Sequence, residues 1–292
     1  MSNPEVSIVI ATSFRYNLLQ RCLESIKNQS FKNYEIILIG IKKDKKLSEI
    51  ANKFGARLYY DQGKGRCYAR NLGIKHSKGE IIVFLDDDVI LEPNWLDLIV
   101  RTFNIDSSIG GVGGLPTNVP KQMSFLSFFS SITNRIQGLS NWKNAAFPIK
   151  VNYLSGCNMA FRQECLLCVN GFDENFYGTS AGEDADLCLR ILKCGFSLIL
   201  VPKAKVWHFS NFIKKTLLHK KDISCFFDLA DNATYWRVKN KIITGFKWIP
   251  YLIICCIKAF YFMALNFNVK IFFYYISGVI SGYIRGKSYS CP

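Results

Sequence analysis

Ile81-Ile82-Val83-Phe84-Leu85-Asp86-Asp87-Asp88 sets five apolar residues directly ahead of three carboxylates, and its reading governs everything around it. An uninterrupted apolar run of this length, rich in β-branched residues, is a strand buried on both faces, as in parallel sheets covered by helices. Ligands of such open sheets bind beyond the carboxyl ends of the strands. The acids stand at that end. Three adjacent carboxylates repel one another and raise each other's proton affinity unless a cation intervenes. A solvated acidic turn is the plain alternative. The chemical reading is a site for Mg2+ or Mn2+, hard cations that take carboxylate oxygens and keep places for phosphate oxygens.

Outward from this strand, extended and helical patterns alternate. Residues 6–10, 35–39 and 57–60 read as strands, whereas 18–26, 67–75 and 94–103 carry helical spacing. The expectation is an α/β fold with a doubly wound, mostly parallel sheet flanked by helices. Farther on, Gly171-Phe172-Asp173-Glu174 precedes Gly182-Glu183-Asp184-Ala185-Asp186-Leu187-Cys188-Leu189-Arg190, which opens a helix with acids in its first turn. Acids there also complement the helix dipole, so catalysis and helix stabilisation explain Glu183, Asp184 and Asp186 equally well. Leu187, Ile191 and Leu192 form the buried stripe, and Arg190 is expected to pair with an acid one turn back. Arg70 and Asn71 lie in a helix after the loop Gly63-Lys64-Gly65-Arg66, a place suited to phosphate oxygens. The glycine spacing there is not that of a dinucleotide fingerprint.

Of 292 residues, 49% are hydrophobic and 20% charged, too apolar for a disordered chain and too charged for a polytopic transporter. Residues 1–202 carry 23 Lys and Arg against 19 Asp and Glu, residues 203–247 carry 10 against 3, and residues 248–292 carry 4 against none. The net charge of +15 therefore gathers beside the most apolar part. That fits membrane lipids as a partner and argues against nucleic acid. No basic leader precedes the first apolar run, so a body that stays in the cytosol is expected. Eleven cysteines, an odd number without repeating spacing, fit a reducing compartment. Cys165-x-x-Cys168 followed by Cys188 and Cys194 raises a zinc site, but Cys188 and Cys194 lack ligand spacing, and the four read as small buried hydrophobes.

Residues 211–247 interleave Lys214, Lys215, Lys220, Lys221, Arg237, Lys239 and Lys241 with Phe226, Phe227, Leu229, Tyr235 and Trp236. This reads as a basic amphipathic helix at an interface, or as a solvated helix packed on the body. In residues 248–267, seventeen of twenty are apolar, long enough to span a bilayer of roughly 30 Å, although Pro250 and Lys258 complicate a simple span. Residues 269–284 continue the apolar pattern, so residues 248–292 are expected to form an apolar helical hairpin, membrane-embedded or interfacial. Gly278 and Gly282 would let two helices approach closely.

Residues 6–15, Ala69-Arg70-Asn71-Leu72-Gly73-Ile74, residues 79–88, the Gly-Phe-Asp-Glu turn, residues 182–190 and Val206-Trp207-His208 occur in the order seen in family-two glycosyltransferases of GT-A fold. The resemblance covers roughly residues 5–210. It implies a catalytic domain over residues 1–210 that moves a sugar, with inversion, from a nucleotide-sugar or polyprenyl-phosphate-sugar donor to a hydroxyl of a glycan or lipid-linked acceptor, in cell-surface polysaccharide or glycolipid synthesis. By the same resemblance Asp88 is the direct metal ligand, joined by Asp86 and His208. Asp86 or Asp87 faces the donor, Thr12, Arg15, Arg70 and Asn71 bind it, Asp184 is the base, and Glu183 positions the acceptor. A GT-A-like nucleotidyltransferase and a catalytically idle membrane scaffold are the rival readings. Membrane attachment with the catalytic domain facing the cytoplasm would keep lipid-linked substrates in reach. One departure bears on the donor: after residues 35–39 the family usually presents an Asp that reads uracil, and this chain has Gly40-Ile41-Lys42-Lys43. That puts a UDP donor in question and favours GDP-sugars or lipid-phosphate sugars.

Overall fold

The computed structural model describes residues 3–117, 147–209 and 223–289. Its strands are β1 (Val6–Thr12), β2 (Tyr34–Gly40), β3 (Arg57–Tyr60), β4 (Ile81–Asp86), β5 (Val89–Leu91), β6 (Ile109–Pro116), β7 (Ile149–Val151), β8 (Asn158–Arg162) and β9 (Ser197–His208). They form one sheet in the order β3-β2-β1-β4-β8-β6-β9-β5, with β7 beside β9. The strands β3, β2, β1 and β4 run parallel. Beyond β4, β8 is antiparallel to both of its neighbours, whereas β6 and β9 are parallel. The expected mixed, mostly parallel sheet is therefore present, and the octapeptide read first supplies its middle strand.

The central strands are apolar on both faces because helices cover both. On one side α1 (Tyr16–Lys27), α2 (Lys45–Phe54) and α4 (Trp95–Phe103) close over Ile8, Ile10, Leu38, Val83 and Leu85. Helix α1 buries Leu19, Cys22, Leu23 and Ile26, the stripe of an amphipathic helix. On the other side α3 (Arg66–His76) lies so close to β1 that a methyl group added at Gly73 would enter the Val9 side chain. Helix α2 was not among the expected elements. Asp44 caps it by accepting the Leu47 N–H at 2.7 Å, and Gly55 ends it in left-handed backbone at φ +66°, a recognised start and stop.

Two short helices follow, α5 (Gln163–Cys168) and α6 (Glu183–Lys193), and then α7 (Ser224–Lys239), α8 (Trp248–Asn266) and α9 (Val269–Tyr289). The chain divides into two compact units. Among the described residues the first comprises 3–117, 147–174 and 187–209, and the second 175–186 and 223–289. Asn175–Asp186 thus groups with the C-terminal helices.

Within the second unit α7 is enclosed rather than lying with one wet face. Phe226, Ala230, Asp231, Asn232, Thr234, Tyr235, Trp236 and Val238 are all buried. Residues 210–222, which hold four of the lysines read as a basic face, lie outside the described residues. Methyl groups at Gly278, Gly282 and Gly286 of α9 would each collide with α7, at the carbonyls of Phe227, Asp231 and Tyr235. The small-residue spacing does bring two helices together, and α7 is the partner. The stretch Gly245–Asn266 is long and apolar enough to cross a membrane, with a mean hydropathy of 1.8.

Candidate active site

The acids close β4, and the elements beside it supply their counter-charges. Thr12, at the end of β1, donates its hydroxyl to Asp87 Oδ2 at 2.7 Å. Arg15, just ahead of α1, ion-pairs with both Asp87 and Asp88. Arg70 of α3 donates to Gly156 O at 2.8 Å and reaches Asp86 Oδ1 at 3.4 Å. His208 ends β9 opposite Val89, and its Nε2 stands 3.1 Å from Asp88 Oδ1 and 3.7 Å from Asp86 Oδ2. Thr12, Arg15, Arg70, Asp86, Asp87, Asp88 and His208 are thus brought to one place, drawn from β1, α3, β4 and β9 and the turns after β1 and β4.

Burial divides the three acids. Asp87 is fully buried and Asp88 3% exposed, whereas the Asp86 side chain is 27% exposed. Desolvation raises the Asp87 carboxyl above its ordinary range despite Thr12 and Arg15. Burial also pushes Asp88 upward, yet the hydrogen bond and charge of His208, with Arg15, outweigh it and hold that carboxyl low. His208 is lowered by desolvation, but Asp88 and Asp86 prevail, so its pKa lies above the ordinary value.

A divalent cation fits these residues. Ligand atoms of Asp86, Asp88 and His208 all lie within 4.8 Å of one another. Asp88 Oδ1 is buried and, apart from His208 Nε2 at 3.1 Å, meets no hydrogen-bond donor among the described residues. Two carboxylates and an imidazole suit Mn2+ or Mg2+. The four cysteines weighed as a zinc set do not converge, since the Asp86, Asp88 and His208 cluster is the one such group among the described residues. Cys165 and Cys188 are buried as expected, but Cys168 and Cys194 are exposed.

Asn71 serves a different contact. Its carboxamide brackets Phe172, donating to Phe172 O at 2.9 Å and accepting from Phe172 N at 2.8 Å, and it also donates to Glu174 Oε1 at 2.9 Å. The Gly-Phe-Asp-Glu turn is therefore fastened to α3. Arg190 donates to Val169 O and Gly171 O at 2.7 Å each, holding the same turn from α6.

In the second unit, the start of α6 is fixed from below. A methyl group at Gly182 (φ +99°) would strike the Trp236 indole. Asp186 is fully buried, accepting from Asn240 Nδ2 at 2.8 Å and meeting Lys239 Nζ at 3.2 Å. Glu183 is 5% exposed, and half-buried Asp184 accepts the Ala185 N–H at 2.9 Å.

Sequence reasoning passed over Asp61. It is buried, follows β3 directly, donates its N–H to Gly40 O at 2.9 Å, and accepts the Gly63 N–H at 3.0 Å. A carboxylate therefore stands one strand away from the acid missing after β2. Its signal was an Asp at the end of a predicted strand, on the sheet edge that also carries Asp86. Phe14, exposed and held at φ +55°, adds an aromatic ring at the end of β1, with Lys42 Nζ 5.7 Å from its centroid.

The family described as Glycosyl transferase family 2 matches residues 7–167, and one described as the N-terminal domain of galactosyltransferase matches residues 134–215. The chain is 24% identical over 217 residues to a glucosyl-dolichyl phosphate glucuronosyltransferase of Haloferax volcanii, covering 70% of this chain and 69% of that protein. It is 26% identical to a dolichyl N-acetyl-α-D-glucosaminyl phosphate 3-β-D-2,3-diacetamido-2,3-dideoxy-β-D-glucuronosyltransferase of Methanococcus voltae, covering 73% and 70%. It spans about a third of other relatives, among them the chondroitin synthase of Escherichia coli (25% identical, 34% of its length). A mannosyltransferase of Pyrobaculum calidifontis, solved with GDP-Man and Mn2+, superposes with a TM-score of 0.60 at 16% identity over 96% of this chain and 76% of its own. The fold is that of the GT-A glycosyltransferases.

A neutral imidazole is needed to bind a metal, so protons compete for His208. Mn2+ should raise the melting temperature near pH 8 and do so progressively less as the pH falls through the elevated pKa of His208. Asp88→Asn should abolish the shift at every pH, which a thermal melt with and without Mn2+ measures.

Proposed function

The chain belongs to glycosyl transferase family 2, and from that premise we propose that it transfers a sugar, with inversion, from a nucleotide-sugar donor to a hydroxyl of a glycan or lipid-linked acceptor. The observation that carries this reading is the Asp86, Asp88 and His208 cluster with Arg15 and Arg70 beside it. A diphosphate leaving group gathers negative charge, and a cation in this cluster would offset it as a Lewis acid. Arg70 and Arg15 add fixed positive charge at the same end of the sheet. Asp87, already taken by Thr12 and Arg15, sets the shape of the turn that presents its neighbours.

The acceptor hydroxyl needs a base within hydrogen-bond reach. Asp184 takes this role, with Glu183 positioning the acceptor. Asp186 holds the helix start through its buried bonds. The donor carries a nucleobase, because Asp61 offers a carboxylate to a ring N–H and Phe14 a face for stacking. Family membership likewise favours cell-surface polysaccharide or glycolipid synthesis. The exposed apolar side of α8 supports membrane association, with the catalytic unit facing the cytoplasm.

Asp184→Asn should lower the transfer rate by about 10²–10⁴-fold while leaving nucleotide-dependent stabilisation in Mn2+ unchanged; an equal loss of both would remove Asp184 from the base role. In a thermal-shift panel with Mn2+, GDP or UDP, whose bases carry a ring N–H, should stabilise more than CDP or ADP. Asp61→Ala should flatten that preference, and indifference of the unaltered protein to every nucleotide would point to a lipid-phosphate sugar. Alkaline carbonate treatment of membranes should leave the chain in the pellet, and its release would count against embedding.

A further inference from the structure

We propose that Cys168 and Cys194 form a dithiol–disulfide site, a surface pair that a low-molecular-weight disulfide such as glutathione disulfide converts to an intrachain bond. Cys168 ends α5 and Cys194 directly follows α6. Both are exposed, and the Cys168 thiol donates to Cys194 Sγ across 2.8 Å. A disulfide places its sulfurs ~2.05 Å apart, so the bond needs an approach of under about 1 Å and a turn of two side chains. The chain around the two thiols is tethered. Arg190, one turn before Cys194, binds the carbonyls of Val169 and Gly171 at 2.7 Å each, and these residues begin immediately after Cys168. Left-handed residues Asn170 and Gly195 (φ +56° and +88°) turn the chain just beyond each thiol.

Selectivity follows from exposure. Cys22, Cys67, Cys157, Cys165, Cys188 and Cys255 are buried and out of an oxidant's reach. Cys165, three residues before Cys168, is also a poor competitor, because burial pushes its thiol up to about 12. Thiolate exchange requires an accessible, ionisable sulfur. The step balances without another reagent. One protein thiolate attacks glutathione disulfide, forms a mixed disulfide and expels one glutathione thiolate. The second protein thiol loses its proton to solvent, attacks the protein sulfur of that mixed disulfide and expels the second glutathione. Two protein thiols are oxidised and one disulfide is reduced.

The two cysteines are 26 positions apart. The closed loop contains the 171–174 turn that Asn71 fastens and the first turn of α6 with Glu183 and Asp184. An exposed bond of this kind is also readily reduced, so oxidation reversibly ties the ends of α5 and α6. This inference stands on the geometry of the thiols and does not depend on the sugar-transfer reading.

The test equilibrates the full chain in glutathione buffers of increasing oxidised fraction, quenches with acid, alkylates with N-ethylmaleimide and maps peptides by mass. Labelling of Cys168 and Cys194 should fall together, and their peptides should appear as one linked species two hydrogens lighter. Cys168→Ser should leave Cys194 as a glutathione adduct, and Cys194→Ser the converse. Independent loss of the two labels, or a link to any other cysteine, would overturn the proposal.

Discussion

Two carboxylates taken out of water at the end of one strand must be met by positive charge or lose their own. Asp87 and Asp88 are buried, and Arg15 reaches both. A buried acid that loses its partner is costly, on the order of 3–5 kcal/mol where a pair is broken. The turn from β1 into α1 is therefore tied to the end of β4 by charge as well as by packing. That tie explains the strained backbone of Phe14, because the chain must turn sharply after β1 to deliver the next residue to the acids. It also gives α1 its starting point, since Leu19 N bonds Arg15 O at 2.9 Å.

Once Arg15 and Thr12 have satisfied Asp87 and half of Asp88, the residual negative charge faces His208 and Asp86. The same environment gives neighbouring carboxyls opposite shifts, Asp87 upward through burial and Asp88 downward through His208 and Arg15. Position within the turn, not residue type, sets how far each acid is committed to its neighbours. The rule holds at α6. There Asp186 is spent on Asn240 and Lys239, while Asp184, two residues earlier, is only half-buried.

The sheet was legible because β1, β2 and β4 are uninterrupted apolar runs, and the acids after β4 marked the candidate site. Helix α2 escaped because Lys45, Lys46 and Lys53 dilute a stripe whose buried members are Leu47, Ile50, Ala51 and Phe54. Arg15 could be placed in the donor site by resemblance, but its grip on Asp87 and Asp88 depends on how sharply β1 turns, which spacing does not reveal. Asp61 stayed hidden for a related reason: its importance comes from lying beside Gly40 across two strands, a neighbour 21 positions away. Cys168 and Cys194 were read as core residues from composition alone. Only the packing of α5 against the end of α6 shows them at the surface together.

The C-terminal helices show why an apolar helix needs its surroundings before it can be interpreted. Helix α8 buries Tyr251, Ile254, Cys255, Ala259 and Phe262 and exposes Ile249, Leu252, Ile253, Phe260 and Leu265. In an ordinary soluble helix the second group would be polar. Only 28% of its most apolar window is buried, so the helix is not a core element whose hydrophobicity has been used up by packing. Helix α9 repeats the pattern, with glycines closed on α7 and with Phe273, Tyr274, Ile280 and Ile284 exposed. Its half-buried cation, Arg285, is paired with Asp231 and stacks on Tyr235 at 4.0 Å. The charge of Arg285 is thus met by a buried carboxylate while large apolar side chains remain outside. For a chain in water that arrangement is unfavourable by roughly 25 cal/mol for every Å2 of apolar surface left wet. Against lipid the same surface carries no such penalty, and this inversion supports membrane association.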